Sequence, residues 1–171
     1  MTDKKSSGAN KIAQGNAAQL LVASELNRRG WSAAVTLGNT PHVDVLCSNK
    51  DATHFAFIQV KSFHIKKRSC AVGIKAENAY TTDFFWIIVG LGDTVDQKDV
   101  FYIVPAAAMS KNVRILHKRW LKTRKKDGNP QKDNTIRKVH VGKSKYDYDI
   151  RRWKDRWDLI DNVMRGIAEC T

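Results

Sequence analysis

Three side chains in the first third of the sequence have types and spacing suited to chemistry on phosphate: Asp44, Gln59 and Lys61. In an extended strand, side chains alternate between faces, so Gln59 and Lys61 of Ile58-Gln59-Val60-Lys61 share one face while Ile58 and Val60 share the other. Asp44 sits inside a second apolar run, Val43-Asp44-Val45-Leu46-Cys47, with Val43 and Val45 expected to point away from it. Where two such strands meet, a carboxylate, an amide oxygen and an ammonium converge. That combination suits metal-assisted phosphodiester hydrolysis. Oxygen ligands hold Mg²⁺ (or Mn²⁺), and the lysine steadies the attacking hydroxide or the developing charge. The spacing alone arises by chance about once in a chain of this length. Strand context strengthens it, because polar groups in apolar strands cost free energy unless they serve one another or a ligand. An Asp44–Lys61 ion pair capping the sheet end is the structural alternative.

The elements that must position these residues are readable in outline. From Ile12 to Arg29, Ala13, Ala17, Leu20, Leu21, Ser24 and Arg28 recur at three- and four-residue steps, and Gly30 follows as a stop, which predicts a helix. Residues 1–9 read as a disordered polar tail ahead of a single domain spanning 10–171. Trp31–Leu37, Val43–Cys47 and His54–Lys61 read as strands, with a turn at Gly38-Asn39-Thr40-Pro41. A short helical stretch over Lys75–Tyr80 precedes Phe84–Val89, whose unbroken apolar run suits a strand buried on both faces. Phe101–Val104 is a strand stopped by Pro105, and Ala106–Trp120 reads as a helix. Arg124–Tyr148 reads as loop or short β-structure, and Ile150–Ala168 as a helix with Trp153, Trp157, Ile160 and Met164 along one stripe.

Charge is distributed unevenly. The 171 residues carry a formal +13. Lys111–Trp157 holds 17 Lys and Arg against five Asp, a net of 17 − 5 = +12, leaving 13 − 12 = +1 for the rest. This basic extension, about 111–157, points to a polyanionic partner, because clustered cations gain affinity for phosphates by releasing condensed counterions. Lys122, Arg124, Lys125, Lys126, Arg137 and Lys138 are the expected phosphate contacts. Trp120, Tyr146, Tyr148, Trp153 and Trp157 interleave with the basic run, although the helical spacing of the last two favours packing. The most apolar window, Phe84–Leu91, is far too short to span a bilayer, and Cys47, Cys70 and Cys170 form neither a zinc pattern nor a disulfide framework. A cytoplasmic chain with reduced thiols is expected. The five histidines are scattered, although His42 lies two residues from Asp44, and Gly90-Leu91-Gly92 lacks the third glycine of a dinucleotide loop.

Gly15–Trp31, Asn39–Leu46 and Ile58–Ser62 together resemble the PD-(D/E)XK nuclease superfamily, and within it an uncharacterised bacterial restriction-endonuclease-like group and the archaeal Holliday-junction resolvases. The later Phe101–Pro105 and Lys132-Asp133-Asn134 segments are similar to the bacterial group as well. The resemblance implies an α/β fold with a central mixed sheet flanked by helices. It matches Asp44 to the metal-binding aspartate, Gln59 to the second ligand and Lys61 to the catalytic lysine. The expected metal set is Asp44, Gln59 and Val60. Two positions depart from the pattern. Gln19 stands where the superfamily often has a helix Glu, and Gln59 replaces the commoner carboxylate. Glu25, about 240° further around the helix than Gln19, cannot face the same site.

Three readings follow: a Mg²⁺-dependent DNA endonuclease, in restriction, repair or recombination; a catalytically degenerate DNA-binding protein on the same fold; and an RNA-binding accessory protein. A homodimer is compatible with each.

Overall fold

The computed structural model describes residues 6–37, 40–94, 96–142 and 149–167. Gly38, Asn39, Lys143, Lys145, Tyr146, Tyr148 and Cys170, named above, lie outside them.

The chain begins with helix α1 (Ser6–Arg28), then strands β1 (Ser32–Val35), β2 (Val45–Ser48) and β3 (Phe55–His64). A short strand β4 (Ser69–Ala71) and a 3-10 turn (Ile74–Glu77) lead to β5 (Phe84–Leu91) and β6 (Val100–Pro105). Helix α2 (Ala106–Leu121), strand β7 (Lys138–His140), a second 3-10 turn (Arg151–Trp153) and helix α3 (Asp158–Met164) complete it. Five strands form one mixed sheet in the order β1-β2-β3-β5-β6, with β3 and β5 parallel and the other neighbours antiparallel. β4 and β7 form a separate two-stranded ribbon.

Alternation along the central strands sends apolar side chains to both faces, as the unbroken run in β5 requires. Ala56, Ile58 and Val60 of β3 and Phe85, Ile87 and Val89 of β5 meet Ala18, Val22 and Leu26 of α1 and Leu159, Ile160 and Met164 of α3. Phe63, Phe84, Trp86 and Ile88 meet Met109 and Val113 of α2 and the ribbon residues Cys70, Val72, Val139 and Val141. One face therefore lies under α1 and α3, the other under α2 and the ribbon. The β3–β5 parallel pair needs a crossover, and residues 65–83 supply it with β4 inside. Gly90 is a position that admits no side chain, since a Cβ there would fall 2.6 Å from Val100 and 2.7 Å from Phe63.

Three sequence expectations change. The helix starts at Ser6, so the tail expected over 1–9 gives its last four residues to α1. β2 starts at Val45, not Val43, and β3 runs on to His64. The expected helix over Ile150–Ala168 is two pieces, because Asp155 takes a left-handed backbone, φ 53°, between Trp153 and α3. The stripe survives the break: Trp157, Ile160 and Met164 all enter the α1-side core, and Trp153 packs beside it. The basic segment contributes to the core as well. Val139, Val141 and Ile150 are buried in the α2-side core.

Candidate active site

β2 pairs with β3 from Ser48 back to Val45, opposite Ile58. One residue earlier the regular ladder ends. Asp44 still donates its N–H to the Ile58 carbonyl at 2.8 Å. The Val60 N–H, next in line on that edge of β3, finds a side chain where a main-chain carbonyl would normally sit: it donates to Asp44 Oδ2 at 2.8 Å. The same oxygen accepts from Gln59 Nε2. Two donors thus fix the carboxylate at the point where β2 and β3 part. N–H and C=O of one strand residue point to the same side, so the Val60 carbonyl also faces this opening, where no described residue donates to it.

The chain leading into Asp44 is held from two sides. Thr36, just past β1, donates its N–H to the Asp44 carbonyl at 3.0 Å and its hydroxyl to the Val43 carbonyl at 2.6 Å. His42 adopts φ 70°, a conformation L-residues with a Cβ seldom take. Its Nδ1 lies 2.8 Å from the Tyr80 hydroxyl, and the Tyr80 ring stacks on Phe84 at 3.9 Å. Val43 packs into the α2-side core instead of pointing away with Val45.

Gln59 is buried and Lys61 half-buried, on the face shared with Phe57 and Phe63. Lys61 makes no ion pair with Asp44, so the sheet-capping alternative is not what the fold adopts. Its charge is felt instead at Cys70 on the ribbon. Burial pushes that thiol up to about 12, while Lys61 and Lys67 pull it back down. Burial, with the Asp161 charge, likewise raises the Cys47 thiol to about 12, so neither buried cysteine is poised as a nucleophile.

The structure brings together Asp44, Gln59 and Val60, with Lys61 next along the same face. Gln19 is half-buried on α1, the helix over the opposite face, and no hydrogen bond joins it to the group. Glu25 is engaged elsewhere, with Arg29 at 3.0 Å. Among the described residues no three His, Cys, Asp or Glu side chains converge as metal ligands. The oxygens on offer are Asp44 Oδ1, Gln59 Oε1 and the Val60 carbonyl, none with a protein partner among the described residues. An all-oxygen set with one formal charge fits a hard divalent cation that keeps several waters, as Mg²⁺ does. Tyr80 and Thr36 escaped sequence reasoning. Neither carries a local signal, since each acts through a contact made only in three dimensions.

The expected cationic surface divides. Lys122, Arg124, Lys125, Lys126 and Lys138 are exposed. Arg137 is not a surface cation: it is 5% exposed, ion-paired with Glu77, and donates to the Asn134 carbonyl at 2.6 Å. It fastens the loop before β7 to the first 3-10 turn.

A mixed five-stranded sheet with α1 and α3 on one face and α2 on the other is the restriction-endonuclease-like fold. The chain is similar in structure to a bacterial homing endonuclease, I-Ssp6803I, with a TM-score of 0.55 and 15% identity over 94% of this chain and 97% of that one. A second match, at TM-score 0.42 and 12% identity over 74% and 83% of the two chains, is Hjc, a Holliday junction resolvase of Archaeoglobus fulgidus. No protein-family profile and no curated sequence matches this chain.

Proposed function

We propose that the protein is a divalent-metal-dependent DNA endonuclease whose centre is Asp44, Gln59, the Val60 carbonyl and Lys61. The observation that carries the reading is the Asp44 carboxylate fixed by the Val60 N–H and the Gln59 amide at the parting of β2 and β3. Asp44, Gln59 and Val60 would hold Mg²⁺, which when bound supplies Lewis-acid polarisation of the phosphate and acidifies a water. Lys61, on the Gln59 side, stabilises charge developing on the attacked phosphate. Gln59 orients Asp44 through its N–H while its oxygen stays available, a division of labour that a Glu could not perform unprotonated.

The basic loop supports DNA as substrate. Residues 122–137 join α2 to β7, both of which cover the sheet face carrying Gln59 and Lys61. Exposed cations are therefore tethered to the side of the molecule on which the site opens. The fold shared with a homing endonuclease agrees with this reading.

The test is incubation of pure protein with plasmid, linear and four-way-junction DNA in Mg²⁺, Mn²⁺ or chelator. Cleavage in metal and none in chelator is the expected result. Tight binding with no cleavage in any metal would instead support a second reading, a degenerate DNA-binding protein, which the single carboxylate of the site favours.

A further inference from the structure

A cavity of about 410 Å³ lies between the last turns of α2 and the outer side of the β4–β7 ribbon. Small-ligand sites span about 300–1,000 Å³. Strand alternation explains one wall. Cys70 and Val139 turn into the α2-side core, so their neighbours Ser69, Lys138 and His140 turn the other way and line the cavity. Leu116 and His117, with Trp120 one turn beyond them, form the α2 wall, and Asn134 and Ile136 of the loop before β7 complete the lining.

The aromatic wall is held in place. His117, its side chain 10% exposed, is fixed by Asp133, whose Oδ1 lies 2.8 Å from Nε2, and the Trp120 ring stacks on that imidazole with centroids 5.3 Å apart. Ile136, 54% exposed, adds an aliphatic surface. The polar groups are mostly neutral. Burial holds the His140 imidazole below its ordinary 6.5, so at pH 7 it presents one N–H and one acceptor nitrogen. Its ring, the Ser69 hydroxyl and the Asn134 amide nitrogen have no hydrogen-bond partner among the described residues. Such walls suit a flat ligand with apolar faces and with donors and acceptors along its edge.

We propose that this cavity holds an unpaired base of a DNA strand, its ring face on Trp120 and Ile136 and its edge toward Ser69, Asn134 and His140. Charge complementarity argues for a strand as the occupant. The loop that leaves α2 just after Trp120 and returns through Asn134 and Ile136 carries Lys122, Arg124, Lys125 and Lys126 exposed, and exposed Lys138 follows it. Phosphates on either side of a seated base would meet these cations, and stacking on an aromatic side chain accepts any base. The site is separate from the proposed nuclease centre and needs no cleavage.

The experiment is fluorescence anisotropy of the full-length protein, in chelator, on a labelled single-stranded dT oligonucleotide and on an abasic strand with the same number of phosphates. Wild type should bind the dT strand about fivefold or more tighter than the abasic one. Trp120→Ala should lose that preference and Trp120→Phe keep most of it, while all three bind the abasic strand alike. Ile136→Ala, at an exposed position, should narrow the preference as well, and it decides the matter if Trp120→Ala melts low. Equal binding of the two strands by wild type, no binding of either, or a preference undiminished in these alanine variants overturns the proposal. Displacement of the dT strand by equimolar deoxythymidine monophosphate would make this a free-nucleotide site and overturn the strand as its occupant. None of these outcomes bears on metal-dependent cleavage, which the digests decide.

Discussion

Asp44 has two tasks that a substitution can separate: its oxygen completes the Val60 hydrogen bond, and its charge is the one carboxylate at the opening. Alanine would leave a main-chain N–H unpaired, worth about 1–3 kcal/mol where it is shielded from water. Asparagine keeps the acceptor and loses the charge. Asp44→Asn should therefore melt close to wild type yet lose roughly 100-fold or more of metal-dependent cleavage. Lys61→Ala should do the same, since Lys61 has no ion pair whose loss would destabilise the fold. Thermal melts and plasmid digests on one preparation decide this; a mutant that cuts like wild type removes its residue from the site. Gln59→Glu tests the amide. It sets a second carboxylate against Asp44 where a donor now sits, and like charges repel. The variant should melt lower than wild type in chelator, gain more stability from Mg²⁺, and need less Mg²⁺ for half-maximal cleavage. Melts indifferent to Mg²⁺ would argue that the amide serves some purpose other than the cation. This much of the site was legible because strand alternation is a local rule: it set Gln59 and Lys61 on one face without any tertiary knowledge. The Val60 main chain as a partner of Asp44 was not, because it depends on where the β2 ladder stops.

At the level of elements, what escaped the sequence is what depends on distant partners. β4 is three residues long and exists because Ser69–Ala71 pairs with Lys138–His140, about seventy residues later; no periodicity in so short a run announces it. Arg137 looked like one more surface cation because Glu77, which buries it, lies 60 residues away. The break at Asp155 is invisible to a helical stripe that both pieces continue to obey. By contrast α1, β5 and α2 are long enough for their periodicity or apolar run to be read directly, with ends displaced by a few residues. The ribbon also has a pH dependence. Burial lowers the His140 imidazole below its ordinary 6.5, with Asp149 pulling it up and Lys138 pushing it further down. The unfolded chain therefore takes up this proton first as pH falls. His140 contributes stability above about 6.5, and that stability is lost as pH drops from there through the lower folded value. The fall in melting temperature between about pH 7.5 and about pH 5.5 should be smaller in His140→Gln than in wild type. Equal falls would assign the acid sensitivity to other groups.

For the whole molecule, the charge asymmetry is a matter of faces. Much of the +12 of residues 111–157 sits on α2 and on the chain from α2 to β7, which cover the α2 side of the sheet, with part of it consumed by carboxylates outside that stretch in Arg137–Glu77 and Arg156–Asp158. Composition could count these cations but not sort them. Lys122, Arg124, Lys125 and Lys126 are the exposed cluster beyond α2. If all four contact phosphate, neutralising them should flatten the slope of log K against log salt by roughly 0.9 per contact on duplex DNA, equally for two unrelated sequences. Fluorescence anisotropy across a salt series reads the slope, and an unchanged value would make the cluster a solvated surface. The α1-side core has a different consequence. Leu26 and Val22 are sealed by Trp157, Ile160 and Met164, and Trp31 donates to Asp161 at 2.6 Å. During translation, the sheet that carries Asp44 and Lys61 thus stays open beside α1 until the residues of α3, more than a hundred positions after Asp44, have emerged from the ribosome. A nascent polypeptide halted before α3 is then an unfinished fold, and on the proposed function it acquires cutting activity only once that helix is in place.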